Sequence, residues 1–188
     1  MTVEALLAQF GLPAIFLGAA AEGETAVILG GVIVHRGLAG FIPAVAMAAL
    51  GSFLADQLFF FLGRRFRDHP RIQALRRRPA FDRAARLFAR YPTGFVFLFR
   101  FLYGLRTVSP LAIGTLDFPP ARFLLLNALA ALLWASVFIT LGYVFGQSVE
   151  ALFGRIRPFE HVLLAVVALS VVGALLFHLI RRRRHRAG

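Results

Sequence analysis

The sequence contains no cysteine, so it offers no disulfide, no thiolate nucleophile and no Cys-ligated metal. It also contains no lysine: all 21 basic side chains are arginine, a pattern that reflects GC-rich coding more than a chemical choice. Acids are scarce, with 9 Asp and Glu in the whole chain, and long stretches carry no charge. No His is paired with Asp or Ser at a spacing useful for hydrolysis, and no Asp-rich metal motif occurs, so an enzyme reading lacks its machinery. His35 and His178 sit near the ends of apolar stretches without neighbouring ligands, and no metal or other cofactor is expected. The first residues lack a basic n-region, and Met1 to Gly11 reads as a short amphipathic lead-in rather than a cleaved signal peptide.

What is present is apolar. Hydrophobic residues make up 59% of 188 positions, more than a globular domain of this size needs. Apolar stretches run over Phe10–Val34, Leu38–Gly63, Thr93–Leu116, Phe123–Gln147 and Phe159–Ile180. The net charge of +12 lies outside them, between Arg64 and Arg90 and from Arg181 to Arg186, so it is a topology signal rather than a nucleic-acid footprint. Both basic segments belong in the cytoplasm, and an even number of crossings must separate them. Three apolar stretches fill that interval, so one must enter and leave on the same side. Thr93–Leu116 holds Arg100, Gly104, Arg106, Pro110 and Gly114 and is the stretch least suited to a plain crossing.

Phe10–Val34 is the matching irregular stretch, with Glu22-Gly23-Glu24 at its middle. Two residues apart on one helix means opposite faces, so a break at Gly23 is needed for both acids to point inward. Each arm of such a hairpin, about 12 residues or ~18 Å long, reaches just past the midplane of a hydrocarbon core about 30 Å thick. An internal repeat supports a duplicated layout: Ala49–Gly63 aligns without gaps on Ala128–Gly142, each copy following one hairpin. The halves are then inverted in topology, an architecture that places sites at the midplane where broken helices meet.

The expected fold is an all-α membrane protein with an inverted-repeat arrangement of two re-entrant helical hairpins, each followed by a transmembrane helix, plus a C-terminal transmembrane helix. A single membrane domain covers 1–188. Residues 1–63 form the first repeat, with its hairpin over 10–34, and 64–92 form a basic cytoplasmic loop. Residues 93–147 form the second repeat, with its hairpin over 93–116; a helix over 159–180 and a basic tail over 181–188 complete the chain. Gly23, Gly104, Pro110 and Gly114 are the expected hairpin hinges. Asp117-Phe118-Pro119-Pro120 reads as a break followed by a helix start.

Charged side chains at the centre of a spanning helix cost about 2.5–3.5 kcal/mol on insertion scales, so they need partners or water and usually mark function. Here the signs are complementary: Glu22, Glu24 and Asp56 in the first half, Arg100 and Arg106 in the second. One reading is purely structural, a buried acid–base network locking the two hairpins together. The functional reading is a site for an anionic head group coupled to protons. Guanidinium groups bind phosphate bidentately, and a carboxyl group in a low-dielectric cavity can take up and release a proton. The Arg64–Arg90 segment reads as a solvated helical loop against anionic lipid, the many Phe as lipid-facing or packing surface, and Trp134 as mid-helix packing.

The run Phe99-Arg100-Phe101-Leu102-Tyr103-Gly104-Leu105-Arg106-Thr107, followed by Pro110 and Gly114, resembles the arginine–glycine–arginine signature of the DedA family (SNARE-associated or VTT-domain) of membrane proteins. Glu22-Gly23-Glu24 resembles the family's first-hairpin acidic motif, Asp56 sits where its helix carries a Gly–Asp or Ala–Asp pair, and Leu141-Gly142-Tyr143 with Gly146 is similar to its late helix. The chain has Tyr103 where the family often has Pro, and a shorter acidic motif. The resemblance covers about Gly11 to Gly146. It implies two opposed re-entrant hairpins and proton-coupled transport of an anionic lipid, a polyprenyl phosphate such as undecaprenyl phosphate or a phospholipid, supporting envelope integrity. Arg100 and Arg106 would hold phosphate, and Glu22 or Glu24 with Asp56 would carry protons. The expected location is the bacterial cytoplasmic (inner) membrane, multi-pass, with the C-terminus cytoplasmic, no nucleic-acid partner, and homo-oligomerisation left open. A membrane lipid phosphatase or transferase and a non-catalytic scaffold acting through the Arg64–Arg90 loop are the competing classes.

Because the native sequence has no cysteine, single cysteines at Ala8, Gly37 and Ser148 report topology without background. Membrane-impermeant maleimide should label all three from the periplasmic side. Labelling of Ala8 and Gly37 from opposite sides would overturn the first hairpin.

Overall fold

The computed structural model describes residues 3–21, 23–76, 79–101, 106 and 108–153, and every regular element among them is helical. The chain divides into two compact units, residues 1–147 and 148–188, and of the second only 148–153, the end of the last described helix, are described. The helix expected over 159–180, the tail over 181–188, Glu22 and Gly104 lie outside the described residues.

Helices α1 (Val3–Ala21) and α2 (Glu24–His35) form an antiparallel pair. Gly11 faces Ile33, Gly30 faces Ile15, and Gly18 faces Ala26, so small residues alternate between the arms and let them close. The break comes at Gly23, whose φ of 89° is open to glycine and strained for other residues. From Val3 on, the expected lead-in is instead the first part of α1. Nothing in that segment breaks a helix before Gly11, and α1 outruns α2 by roughly two turns. Gly37, with φ 73°, closes α2: its N–H reaches the Val34 carbonyl and the Leu38 N–H reaches that of Ile33, a Schellman stop.

Helix α3 (Phe41–Arg65) follows, 25 residues or about 37 Å long. Then come α4 (Pro70–Arg76), α5 (Pro79–Arg90), α6 (Pro92–Leu98), a 3-10 turn (Phe99–Phe101), α7 (Val108–Gly114) and α8 (Pro120–Phe153). Proline opens α4, α5, α6 and α8, where its missing N–H would lack an intrahelical partner anyway. Pro110 lies in the first turn of α7, where its missing N–H is tolerated for the same reason. Phe41–Arg65 and Pro120–Ser148 are long and apolar enough to cross a membrane. Both carry exposed apolar stripes, Leu50, Leu54, Leu58 and Phe61 on α3 and Leu125, Leu129, Leu132 and Val144 on α8, as a lipid-facing surface requires.

Two apolar clusters form the core, one around each pair of short arms. Ile15, Val27, Val45 and Trp134 belong to the first; Phe60, Phe95, Ile113 and Phe123 belong to the second, with Phe60 and Phe123 stacked at 4.2 Å. The second cluster also takes in α5, through Phe81, Ala84 and Phe88. Residues 64–92 are therefore not wholly a solvated loop. Apolar residues at i, i+3 and i+7 give α5 one buried face, while Asp82, Arg83, Arg86 and Arg90 stay exposed on the other.

The halves are joined by reciprocal glycine crossings. Gly63 of α3 lies against the Leu111 carbonyl of α7, and Gly142 of α8 lies against the Ile28 carbonyl of α2. Gly114 in turn lies against Phe60 and Arg64 of α3, and Gly31 against Ile139 and Tyr143 of α8. Gly63 and Gly142, and Phe60 and Ile139, are matched positions of the sequence repeat, and Arg64 and Tyr143 directly follow its two copies. Each long helix thus packs on the second short arm of the other half. Gly114, read from sequence as a hinge, is used as one of these contact points.

The second arm also gives the depth of its tip. Arg64 donates to the Phe118 carbonyl at 2.8 Å and Arg67 pairs with Asp117 at 3.4 Å, tying the base of the arm to the end of α3. Arg100 and Arg106 reach Ser52, near the middle of α3. Base and tip are separated by about 12 residues of α3, or ~18 Å.

A side chain at Gly142 must displace backbone, whereas a Cβ at Gly94 meets nothing within 4 Å. Gly142→Val should cost at least the 1–3 kcal/mol typical of overpacking, read as a lower unfolding temperature in detergent, while Gly94→Ala should be neutral or stabilise by up to about 1 kcal/mol.

Candidate functional site: an arginine pair at the hairpin tips

Ser52 and Asp56 lie one turn apart on α3 and present their side chains to one side. Arg100, in the 3-10 turn at the end of α6, fills the space before them. Its Nη2 sits 2.5 Å from Asp56 Oδ2 and donates to Asn127 Oδ1 at 2.6 Å, and its Nη1 donates to Ser52 Oγ at 2.5 Å. Asn127 belongs to α8 and is held in place by its own contact with the Phe53 carbonyl, at 3.5 Å. One guanidinium therefore joins α3, α8 and the second hairpin. Its side chain is 0% exposed and that of Asp56 5%, so bulk water does not screen the pair. Arg100 Nε has no partner among the described residues.

Arg106 is placed differently. Its Nη2 donates to the Ala19 carbonyl at 2.9 Å and to Ser52 Oγ at 3.1 Å, while its Nη1 lies 3.6 Å from Glu24 Oε1. The guanidinium stands over the Trp134 ring, 4.6 Å from the centroid. Arg106 keeps 16% exposure and Glu24 33%, making this the looser and more accessible of the two pairs. Gly23 permits the approach, because a Cβ there would land on Arg106 Nη1. The first hairpin's break thus touches the second hairpin's tip.

The structure brings together Glu24, Asp56, Arg100 and Arg106, with Gly23 between them; Glu22 and Gly104 lie outside the described residues. Three contributors were not read from sequence as site residues: Ser52, whose single hydroxyl receives hydrogen bonds from both arginines, Asn127 and Trp134. Their signal is faint. Small polar residues and one Trp in long apolar helices look like packing until their partners are known. Electrostatically the four charged groups cancel, two positive against two negative.

The two ion pairs should respond differently to mutation. Removing one partner of a buried pair leaves a bare charge, so Asp56→Leu should cost about 3–5 kcal/mol, and Asp56→Leu combined with Arg100→Met should regain most of it. Glu24→Gln breaks a long, partly exposed pair and should cost under about 1 kcal/mol. Unfolding of the purified protein in detergent checks all three.

The sequence matches the VTT domain over residues 21–144. It is similar to inner membrane protein YohD of Escherichia coli strain K12, with 38% identity over 175 residues, 92% of this chain and 91% of that protein. It is also similar to inner membrane protein YghB of the same strain, with 32% identity over 135 residues, 70% and 60% of the two chains. Undecaprenyl phosphate transporter A of Bacillus subtilis strain 168 is 27% identical over 187 residues, 94% of this chain and 91% of that one. No solved structure matches. The VTT match encloses α3, the greater part of α8, the break at Gly23 and every side chain of the arginine cluster, and the chain belongs to the VTT domain (DedA) family of membrane proteins.

Proposed function

We propose that this chain transports an anionic lipid of the polyprenyl phosphate class across the cytoplasmic membrane, moving the phosphate past Arg106 with a proton as coupling ion. The observation that carries the reading is the meeting of two guanidinium groups on one hydroxyl, Ser52 Oγ, near the middle of a helix long enough to span the bilayer. Fixed cations at that depth suit a ligand whose charge must enter the membrane while its tail stays in hydrocarbon. The likeness to a protein named as an undecaprenyl phosphate transporter, over 94% of this chain, supports the substrate class.

The charge balance of the site supports a proton as the coupling ion. With Asp56 and Glu24 ionised, the site has no net positive charge to offer an entering phosphate. Protonation of Glu24 removes the weaker competitor for Arg106, and phosphate takes its place. Departure of the phosphate returns Arg106 to the carboxylate and releases the proton. The two helical pairs serve as inverted re-entrant hairpins, the first open to the periplasm and the second to the cytoplasm, with the C-terminus cytoplasmic. Access alternates as one or the other withdraws from the shared tip contact.

In vesicles carrying the purified protein, a fluorescent polyprenyl phosphate should cross faster under one orientation of a pH gradient than under the other. Arg106→Gln should slow it about 10–100-fold, the worth of a charge-assisted hydrogen bond, and Arg106→Lys should not restore it because an ammonium lacks the planar fork. Glu24→Gln should keep lipid binding and lose the response to the gradient. Wild-type protein that moves no phosphate-bearing lipid under either gradient would end the proposal.

A further inference from the structure

Trp134 is the single tryptophan of the chain and is fully buried on α8. Its indole Nε1–H has no hydrogen-bond partner among the described residues, although a buried indole normally finds one. In an apolar interior such an orphan donor is costly, and Leu or Phe would fill the same space without the penalty. The ring's face is occupied by the Arg106 guanidinium at 4.6 Å, and Phe138 packs against the indole with ring centroids 5.2 Å apart. A buried donor without an acceptor therefore stands beside the more accessible of the two cations. The complementary ligand is an anion rich in acceptor oxygens.

We infer that Trp134 is a phosphate-contacting residue: its ring face positions Arg106, and its indole N–H donates to a second oxygen of the lipid phosphate held by that arginine. This rests on the lipid-phosphate reading above and adds a specificity device to it. Arg106 supplies charge and Trp134 supplies a directed donor, so a phosphate monoester, with three free oxygens, engages both. Arg100 adds a fixed positive charge beside the site without touching the phosphate itself. Its two terminal nitrogens are committed to Asp56, Ser52 and Asn127, and its side chain has no exposure. Substrate recognition is thereby divided from the structural clamp six residues away in the chain.

A single tryptophan makes the test clean. Dodecyl phosphate titrated into the wild-type protein in detergent should change the tryptophan emission saturably, and dodecanol should not. The single indole cross-peak of the 15N-labelled protein should move downfield with dodecyl phosphate. Trp134→Phe keeps an aromatic face for Arg106 and removes the donor, so its affinity for radiolabelled dodecyl phosphate should fall about tenfold or more. Should Trp134→Phe bind as wild type does and the indole peak stay unmoved, Trp134 is only a packing residue, while binding that depends on Arg106 would leave the transport reading intact. Equal binding by Arg106→Gln and wild type would remove both.

Discussion

A guanidinium with no exposure, set in apolar surroundings, is the constraint on which the rest of the structure depends. Arg100 can stay there only while Asp56, Ser52 and Asn127 all supply their oxygens, and these come from two different long helices. Each acceptor fixes a distance: from the hairpin tip to α3, from the tip to α8, and so between α3 and α8. Apolar side chains in lipid have little reason to choose one helix spacing over another, since the tails around them are equally apolar. A buried charge does have a reason. The clamp gives the halves a register that packing alone would leave loose.

Much of this layout was legible before any coordinates. The break at Gly23 followed from two acids that could not share a helix face, and Pro119-Pro120 marked the start of α8. The repeat showed in α3 and α8 because Gly63 and Gly142 are held to the same job. It did not show in the short arms, although Ile28 corresponds to Leu111 and Gly31 to Gly114 in their contacts. The spacing from arm to long helix differs between the halves by about one helical turn, which an ungapped alignment cannot follow. The buried face of α5 was missed for another reason. Its arginines dominate the composition, and the spacing of Phe81, Ala84 and Phe88 carries the signal only when read as a period.

The site was half legible. Charges at membrane depth stand out because they are expensive, so Glu24, Asp56, Arg100 and Arg106 drew attention from sequence. Sequence could not divide them into a closed pair and an open one, because that depends on where Ser52, Asn127 and Trp134 fall. Those three are inexpensive in an apolar helix and become informative only through their partners. The repeat has also diverged where it matters. The positions matched to Ser52 and Asp56 in the second copy are Ala131 and Ala135, and Asn127 corresponds to Ala48. A symmetric scaffold thus carries one asymmetric polar centre, with acids from one half and cations from the other.

The glycine crossings have a mechanical consequence. Where Gly63 meets Leu111 and Gly142 meets Ile28, backbone rests on backbone, with no ridge of side chains sunk into a facing groove. Such a contact resists separation yet offers little resistance to swivelling, since no knob must climb out of a hole for the angle to change. Each long helix can therefore change its angle against the opposite short arm while the two stay in contact.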